Sequence, residues 1–402
     1  MRLQNVLILV LAAATFGARG AIAQISDDVV RIGVLNDQSG LYADLGGQGS
    51  VVAARMAVED AGGAVLGRPV EIIFADHQNK ADIGMAVARR WFETAGVDMA
   101  IGFDNSAVAL AVEQLAADHS RIVIAGAVGS TAFTGKGCTP TEASWVHDSY
   151  ALTTSLARSI VAEGRDTWFF ITVDYAFGHS LEADATSAVQ AAGGKVLGSV
   201  RHPLNTSDFS SYLLQAQASG AKVVAFANSG GDMINAVKQA NEFGLTKNQT
   251  MVSLLVFISD VHSMELQAAQ GLKFVTAFYW DRNDQTRAWS KRFFERHGKM
   301  PTMAQAGTYS AVRHYLASIA AAGTDEAKAV MVKMRELPVN DFYTSNGRVR
   351  EDGRMVHDMY FAQVKKPSES IGPWDYYNIL SVIPGSQAFR AAADSGCPLV
   401  VH

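Results

Sequence analysis

The sequence predicts an α/β protein of two Rossmann-like lobes, each a parallel-rich sheet with helices on both faces. Three observations lead there. Short β-branched runs alternate with stretches of helical periodicity; the alternation restarts at Trp168; and the two copies are followed by helices with no strands between them. Strand–helix–strand repetition favours a parallel sheet, because each crossover helix returns the chain to the start of the next strand.

The elements follow in order. Val29–Leu35 is β-branched and reads as the first strand, broken by Ser39-Gly40 and Gly46-Gly47. Val51–Asp60 carries apolar residues at helical spacing and stops at Gly62-Gly63. Strand Val70–Ala75, helix Ile83–Ala95, strand Met99–Gly102, helix Ser106–Asp118 and strand Ile122–Ala125 complete the first copy. The second opens with strand Trp168–Thr172, a helix over Gly178–Ala192 and strand Lys195–Val200. Helix Phe209–Ala218, strand Lys222–Ala227, helix Met233–Phe243 and strand Lys273–Phe278 follow. Thr286–His297 and Thr308–Ala322 are strong helices that return to cover the first sheet, and Arg354–Val364 with Asn378–Val382 read as strands rejoining the second. The expected division is residues 24–148 and 281–353 for the first lobe, and 149–280 and 354–402 for the second, with several crossings forming a hinge.

Residues 1–23 read as a cleaved secretory signal: Arg2, a short apolar run Val6–Ala14, and small residues Ala21 and Ala23 before Gln24. The run is too short to span a bilayer, which needs about 20 residues. The mature chain of 379 residues loses Arg2 and Arg19, so its formal charge moves from −5 to −7. A mildly acidic chain with no basic cluster argues against nucleic acid and anionic membrane as partners. Export to an oxidising compartment makes Cys138 and Cys397, the two cysteines, a disulfide candidate, with two separate buried thiols as the alternative. A bridge over so long a loop is worth about 4–5 kcal/mol in the chain-entropy treatment. No Cys-x-x-Cys or His-x-x-x-His pair points to a metal, and no cofactor is expected.

In open α/β sheets, ligands bind beyond the carboxyl ends of the strands, near helix N-termini. Candidate loops are therefore Phe103–Ser106, Gly126–Thr131, Asp174–Gly178 and Asn228–Asp232, with Tyr150 where the chain crosses between lobes. Each has a plainer reading. Ser106 and Asp232 suit helix caps, Tyr150 and Tyr175 suit half-buried aromatics, and Gly230-Gly231 suits a turn. Their joint placement at equivalent strand ends of both lobes favours a shared crevice.

At these residues the chain resembles the leucine/isoleucine/valine-binding protein family, solute receptors of ABC importers. The likeness runs through Ile32-Gly33-Val34-Leu35…Ser39-Gly40, Gly67-Arg68-Pro69-Val70-Glu71, Ala75-Asp76, Gly102–Val112, Asp174–Gly178 and Asp208-Phe209-Ser210. It implies a type I periplasmic-binding fold with a three-segment hinge, a periplasmic location, and closure on a small carboxylate passed to a membrane permease; a monomer is expected. It also implies site roles. Ser106 and Ser130 would grip the carboxylate, helped by the amides of Gly129 and Ser130. Tyr150 and Tyr175 would be aromatic walls, Asp232 the partner of an ammonium group, and Phe257 and Trp280 walls around the side group. Asn228-Ser229 departs from the aromatic residues of the amino-acid binders, and the loop is shorter. The resemblance thus admits a branched-chain or hydrophobic amino acid, or an aromatic acid of the benzoate or phenylpropanoid kind.

Two other classes compete. An enzyme of this fold would be expected to carry Gly-x-Gly-x-x-Gly, Gly-x-Ser-x-Gly or a phosphate-binding loop, and Gly33–Gly40 lacks the first spacing. A free-standing sensor docking on a signalling receptor shares the fold and stays open at the level of sequence.

Overall fold

The structure is a computed structural model and describes residues 25–401; the signal segment read at 1–23 lies outside the described residues. No helix among them is long and apolar enough to cross a membrane.

The first sheet has six strands in the order Ala64–Val65, Arg68–Asp76, Val30–Asn36, Met99–Gly102, Ile122–Ala125, Glu142–Ser144, parallel except for the short outer hairpin. Strand side chains alternate between faces, and this sheet is apolar on both. Ile32, Val34, Met99, Ile101, Ile122 and Ile124 join the main core on one side. Leu35, Ala100 and Val123 join a second cluster with Trp91 and Phe92 on the other. That is why these strands read as continuous apolar runs rather than as alternation. The two helices expected to return do so. Arg292 and Tyr309, from helices Asp284–His297 and Met303–Ala322, both reach Asp60 at the end of helix Gly47–Asp60, at 2.7 and 2.6 Å.

The second lobe holds an all-parallel sheet ordered Thr250–Ser253, Val223–Ala227, Thr167–Val173, Lys195–His202. An antiparallel sheet of Lys273–Thr276, Met359–Val364 and Tyr377–Ile383 lies beside it. The two share a core in which Phe226 and Phe274 are fully buried. Strand Thr250–Ser253 was not separable in sequence, because it runs into Leu254–Ile258 with no turn residue between them. Helix Ser149–Ala162 also went unread; Asp148 caps it, its carboxylate accepting the Ala151 amide at 2.8 Å.

Between the lobes the crossings pack on a buried cation. Arg354 is 1% exposed and donates to the Asp148 carboxylate at 3.3 Å and to the Ser144 carbonyl, with the Phe389 ring 4.8 Å from its guanidinium carbon. The segment Ser144–Asp148, the strand Met355–Val356 and the C-terminal tail thus meet at one group. At a separate crossing Arg282 donates to the Phe342 carbonyl at 2.7 Å and stacks on Tyr360.

Beyond Ile383 the tail runs past the second lobe and on to the first. Arg390 bonds Asp184 at 2.7 Å, and Cys397 forms a disulfide with Cys138, which follows the fifth strand of the first lobe. The bond closes a loop of 259 residues. Replacing both cysteines by serine is therefore expected to lower stability by up to about 5 kcal/mol, read as a fall of several degrees in Tm by calorimetry. An unaltered melt would mean that packing alone secures the tail.

Candidate functional site

The strand ends of the two lobes face each other across a small cavity. From the first lobe, Tyr42 and Leu45 descend from the loop after the first strand, Asp104 and Ser106 flank the start of helix Ser106–Asp118, and Ala127 and Gly129 follow the fifth strand. From the second, Tyr175 and Phe177 open helix Ala176–Ala191, Ser229 precedes helix Gly230–Glu242, and Leu255 and Phe257 precede helix Ile258–Ala269. These are the carboxyl ends of parallel strands, where ligands of open α/β sheets bind. Larger hollows beside Thr246–Met251 lie at the opposite, amino end of strand Thr250–Ser253 and are open to solvent.

The cavity spans about 240 Å³ between atoms, yet the centre of a water molecule has only about 10 Å³ to move in. That is room for about one water. The lobes are drawn together tightly here. The Tyr42 and Tyr175 hydroxyls meet at 2.8 Å, and the Gly231 amide donates to the Leu41 carbonyl at 3.4 Å. Thr131 of the first lobe bonds Ser180 at 3.2 Å and Asp184 at 3.3 Å in the second. The edge of the Phe177 ring abuts Gly129: a Cβ there would come within 2.5 Å of it. Only glycine permits that approach.

Four expected site residues line the cavity: Ser106, Gly129, Tyr175 and Phe257. Ser130 stands just behind, its amide donating to the Ser106 hydroxyl at 3.3 Å. Ser106 is not the helix cap; Asn105 is, its side chain accepting from the Ala107 and Val108 amides. That leaves the Ser106 hydroxyl at the wall.

The other four lie elsewhere. The Tyr150 ring sits 5.0 Å from the Arg390 guanidinium, outside the cavity lining. Asn228 is buried against His202 at 3.0 Å. Trp280 donates to the Trp374 carbonyl at 2.8 Å. Asp232 neither lines the cavity nor caps its helix; its carboxylate accepts the Asn205 and Thr206 amides at 3.1 and 2.8 Å and secures that loop.

Reading the sequence missed Tyr42, Leu45, Asp104, Ala127, Phe177, Ser229 and Leu255 as wall residues. Asp104, Ala127, Phe177 and Ser229 fall inside loops already singled out. Tyr42 falls in the loop after the first strand, where the strand-end rule applies equally.

The polar groups here are strongly desolvated. Burial pushes the Asp104 carboxyl up to about 8, reinforced by the Asp37 charge and opposed by the Asp37 and Gly47 amides and the Asn36 side chain. Asp232 rises to about 6 by burial, against the pull of its two amides. Burial also raises the Tyr42 and Tyr175 hydroxyls. His147, buried edge-on to Phe257 at 6.2 Å, falls to about 3 and is neutral. Asp104 Oδ2 and Ser229 Oγ have no hydrogen-bond partner within the protein.

Two sheet-based lobes that meet over partly unsatisfied polar groups and aromatic walls have the form of a two-lobed binding protein. The chain belongs to the periplasmic binding protein family, whose pattern matches residues 29–369. A crystal structure of a periplasmic binding protein from Burkholderia mallei is 47% identical, covering 92% of this chain and 99% of that one with a TM-score of 0.91. A branched chain amino acid ABC transporter periplasmic ligand-binding protein from Burkholderia xenovorans LB400 is 39% identical, covering 92% and 99%, with a TM-score of 0.83. The Leu/Ile/Val-binding protein homolog 6 of Brucella melitensis is 27% identical over 246 residues, 60% of this chain and 61% of that relative's length. The chain thus matches less than two thirds of the curated relative.

The buried acids set a pH dependence. Burial raises Asp104 and Glu113 to about 8 and Asp260 to about 7, whereas unfolded carboxyls titrate near 4. The folded state therefore holds protons that the unfolded chain has lost, and stability falls as pH rises from about 4 through about 8. His77 and His147 act oppositely: burial lowers them to about 4 and about 3, so they subtract stability only below about 6.5, the free imidazole value. Between pH 6.5 and 8.5 the carboxyls alone remain, and Tm should decline, less steeply for Asp104→Asn. A Tm constant over that range in both proteins would contradict the raised values.

Proposed function

We propose that the protein captures a small carboxylate, an amino acid of branched-chain or hydrophobic type, between its lobes in the periplasm. It then presents the closed form to the permease of an ABC importer. The observation that carries this reading is the cavity at the facing strand ends, where hydroxyls and a carboxyl share the lining with aromatic rings and aliphatic side chains. Such a mixed wall orients a polar head and accommodates an apolar side group.

In this reading the Ser106 hydroxyl, held by the Ser130 amide that donates to it and so free to donate its own proton, takes the solute carboxylate together with the Gly129 amide, while Tyr175, Phe177, Leu255 and Phe257 enclose the side group. Phe177 must swing off Gly129 to admit it. The inter-lobe contacts of Tyr42 with Tyr175, and of Thr131 with Ser180 and Asp184, form only when the lobes meet. The solute favours closure by its greater affinity for the closed shape. A second reading, an aromatic carboxylate, has in its favour the rings of Tyr42, Tyr175, Phe177 and Phe257, contributed to the cavity lining by both lobes.

Melting the protein with a panel of amino acids and aromatic acids tests this. A solute at 100 times its Kd is expected to add about 2.7 kcal/mol of apparent stability, together with a smaller radius of gyration by X-ray scattering. Hits among leucine, isoleucine and valine favour the first reading, and hits among benzoates alone the second. Ser106→Ala is expected to weaken a hit about tenfold, the loss of one hydrogen bond to a charged group. A panel with no shift at millimolar concentrations would defeat the proposal.

A further inference from the structure

Among the described residues, Asp104 is the only carboxylate lining the cavity, and no Lys, Arg or His accompanies it there. It is 8% exposed, and its Oδ2 has no partner within the protein. Room for it is made by Gly46, where a Cβ would sit 2.1 Å from Oδ2. The Asp37 and Gly47 amides and the Asn36 side chain offset only part of its desolvation; a buried carboxyl with one oxygen left unsatisfied destabilises a fold, so this wall keeps space for a group that weakens the protein.

The charges around it have the same sign. Asp37 faces Asp104 from the loop after the first strand, and both Asp104 and Asp232 act on the Tyr175 hydroxyl. With Asp104 protonated, a guest bearing only a carboxylate would find neither a cation nor a charged partner for any second polar group. A guest that also bears a cation one or two bonds from its carboxylate fits, because Asp104 and the carboxylate-binding Ser106 are two residues apart at one helix start. Asp232 is ill suited to that role, since the Asn205 and Thr206 amides occupy its oxygens.

We infer that Asp104 is the specificity-determining residue: it receives the ammonium group of an α-amino acid, and Asp232 does not. This rests on the capture reading above and narrows the solute to zwitterions. It also sets a proton balance. With its pKa raised to about 8, Asp104 holds its proton at pH 7 in the empty site. Docking an ammonium group favours the carboxylate, so the Asp104 proton leaves to the buffer while the ammonium keeps its own three. A guest without the ammonium group leaves Asp104 protonated and releases nothing.

Matched pairs of solutes test this: leucine against 4-methylpentanoate, and phenylalanine against 3-phenylpropanoate, titrated calorimetrically at pH 7 in buffers of different ionisation enthalpy. The amino acid of a pair is expected to bind at least tenfold more tightly and to release close to one proton. Asp104→Asn should weaken it by about 30-fold or more, as for truncation of a buried charge pair, and abolish proton release without weakening the deaminated acid. Asp232→Asn should change amino-acid affinity less than tenfold. The proton count uses the unaltered protein and so stands even if a variant fails to fold. The inference is overturned if the deaminated acid binds as tightly as its partner, if no proton is released, or if Asp104→Asn keeps its amino-acid affinity. In those cases solute capture itself survives. If no member of either pair binds, the capture of hydrophobic amino acids is wrong and this inference falls with it.

Discussion

The arrangement depends on one buried cation. Arg354 lies where the crossings meet, and Asp148 serves two purposes beside it: one oxygen accepts from Arg354 and the other caps helix Ser149–Ala162. The position of the second lobe's first helix is therefore coupled to the hinge by a single carboxylate. Removing one partner of a buried pair typically costs about 3–5 kcal/mol, so this junction resists loosening. The freedom of the lobes then lies in the backbone around it, which suits rotation about a fixed point better than sliding.

The character of the cavity follows from that junction. With the hinge set, the strand ends of both sheets point inward, and contacts such as the Tyr42–Tyr175 hydroxyl pair form across the gap. Excluding water raises the significance of every polar group left inside. The same burial that holds His147 neutral keeps Asp104 protonated near neutral pH, so the wall of the empty site carries little charge of its own. Packing, protonation state and selectivity are thus one problem, decided by how completely the two lobes exclude solvent.

Much of this was legible in the sequence because its signals were local. Alternating strand and helix periodicity exposed the sheets, and the rule that sites lie at strand ends located the loops holding Ser106, Gly129 and Tyr175. What escaped notice was set by distant residues. Nothing near Asp232 reveals that amides 26 and 27 positions earlier would claim its carboxylate. Tyr150 is expected at a crossing between lobes as an aromatic wall, but its ring answers to Arg390 in the tail. Gly46 looked like a simple breaker, yet its missing side chain is what makes room for Asp104. Strand Thr250–Ser253 merged with the apolar run behind it because no turn residue divides them.

The disulfide bears on how the protein is made. A chain synthesised from its N-terminus presents the Cys138 thiol 259 residues ahead of Cys397. Throughout that interval Cys138 has no intramolecular partner, since the sequence contains two cysteines in all. No scrambled isomer within one molecule exists for an isomerase to correct. The wrong products open to an oxidising environment are mixed disulfides with small thiols and covalent pairs of chains, so crowding, rather than reshuffling, limits the yield of correctly tethered protein.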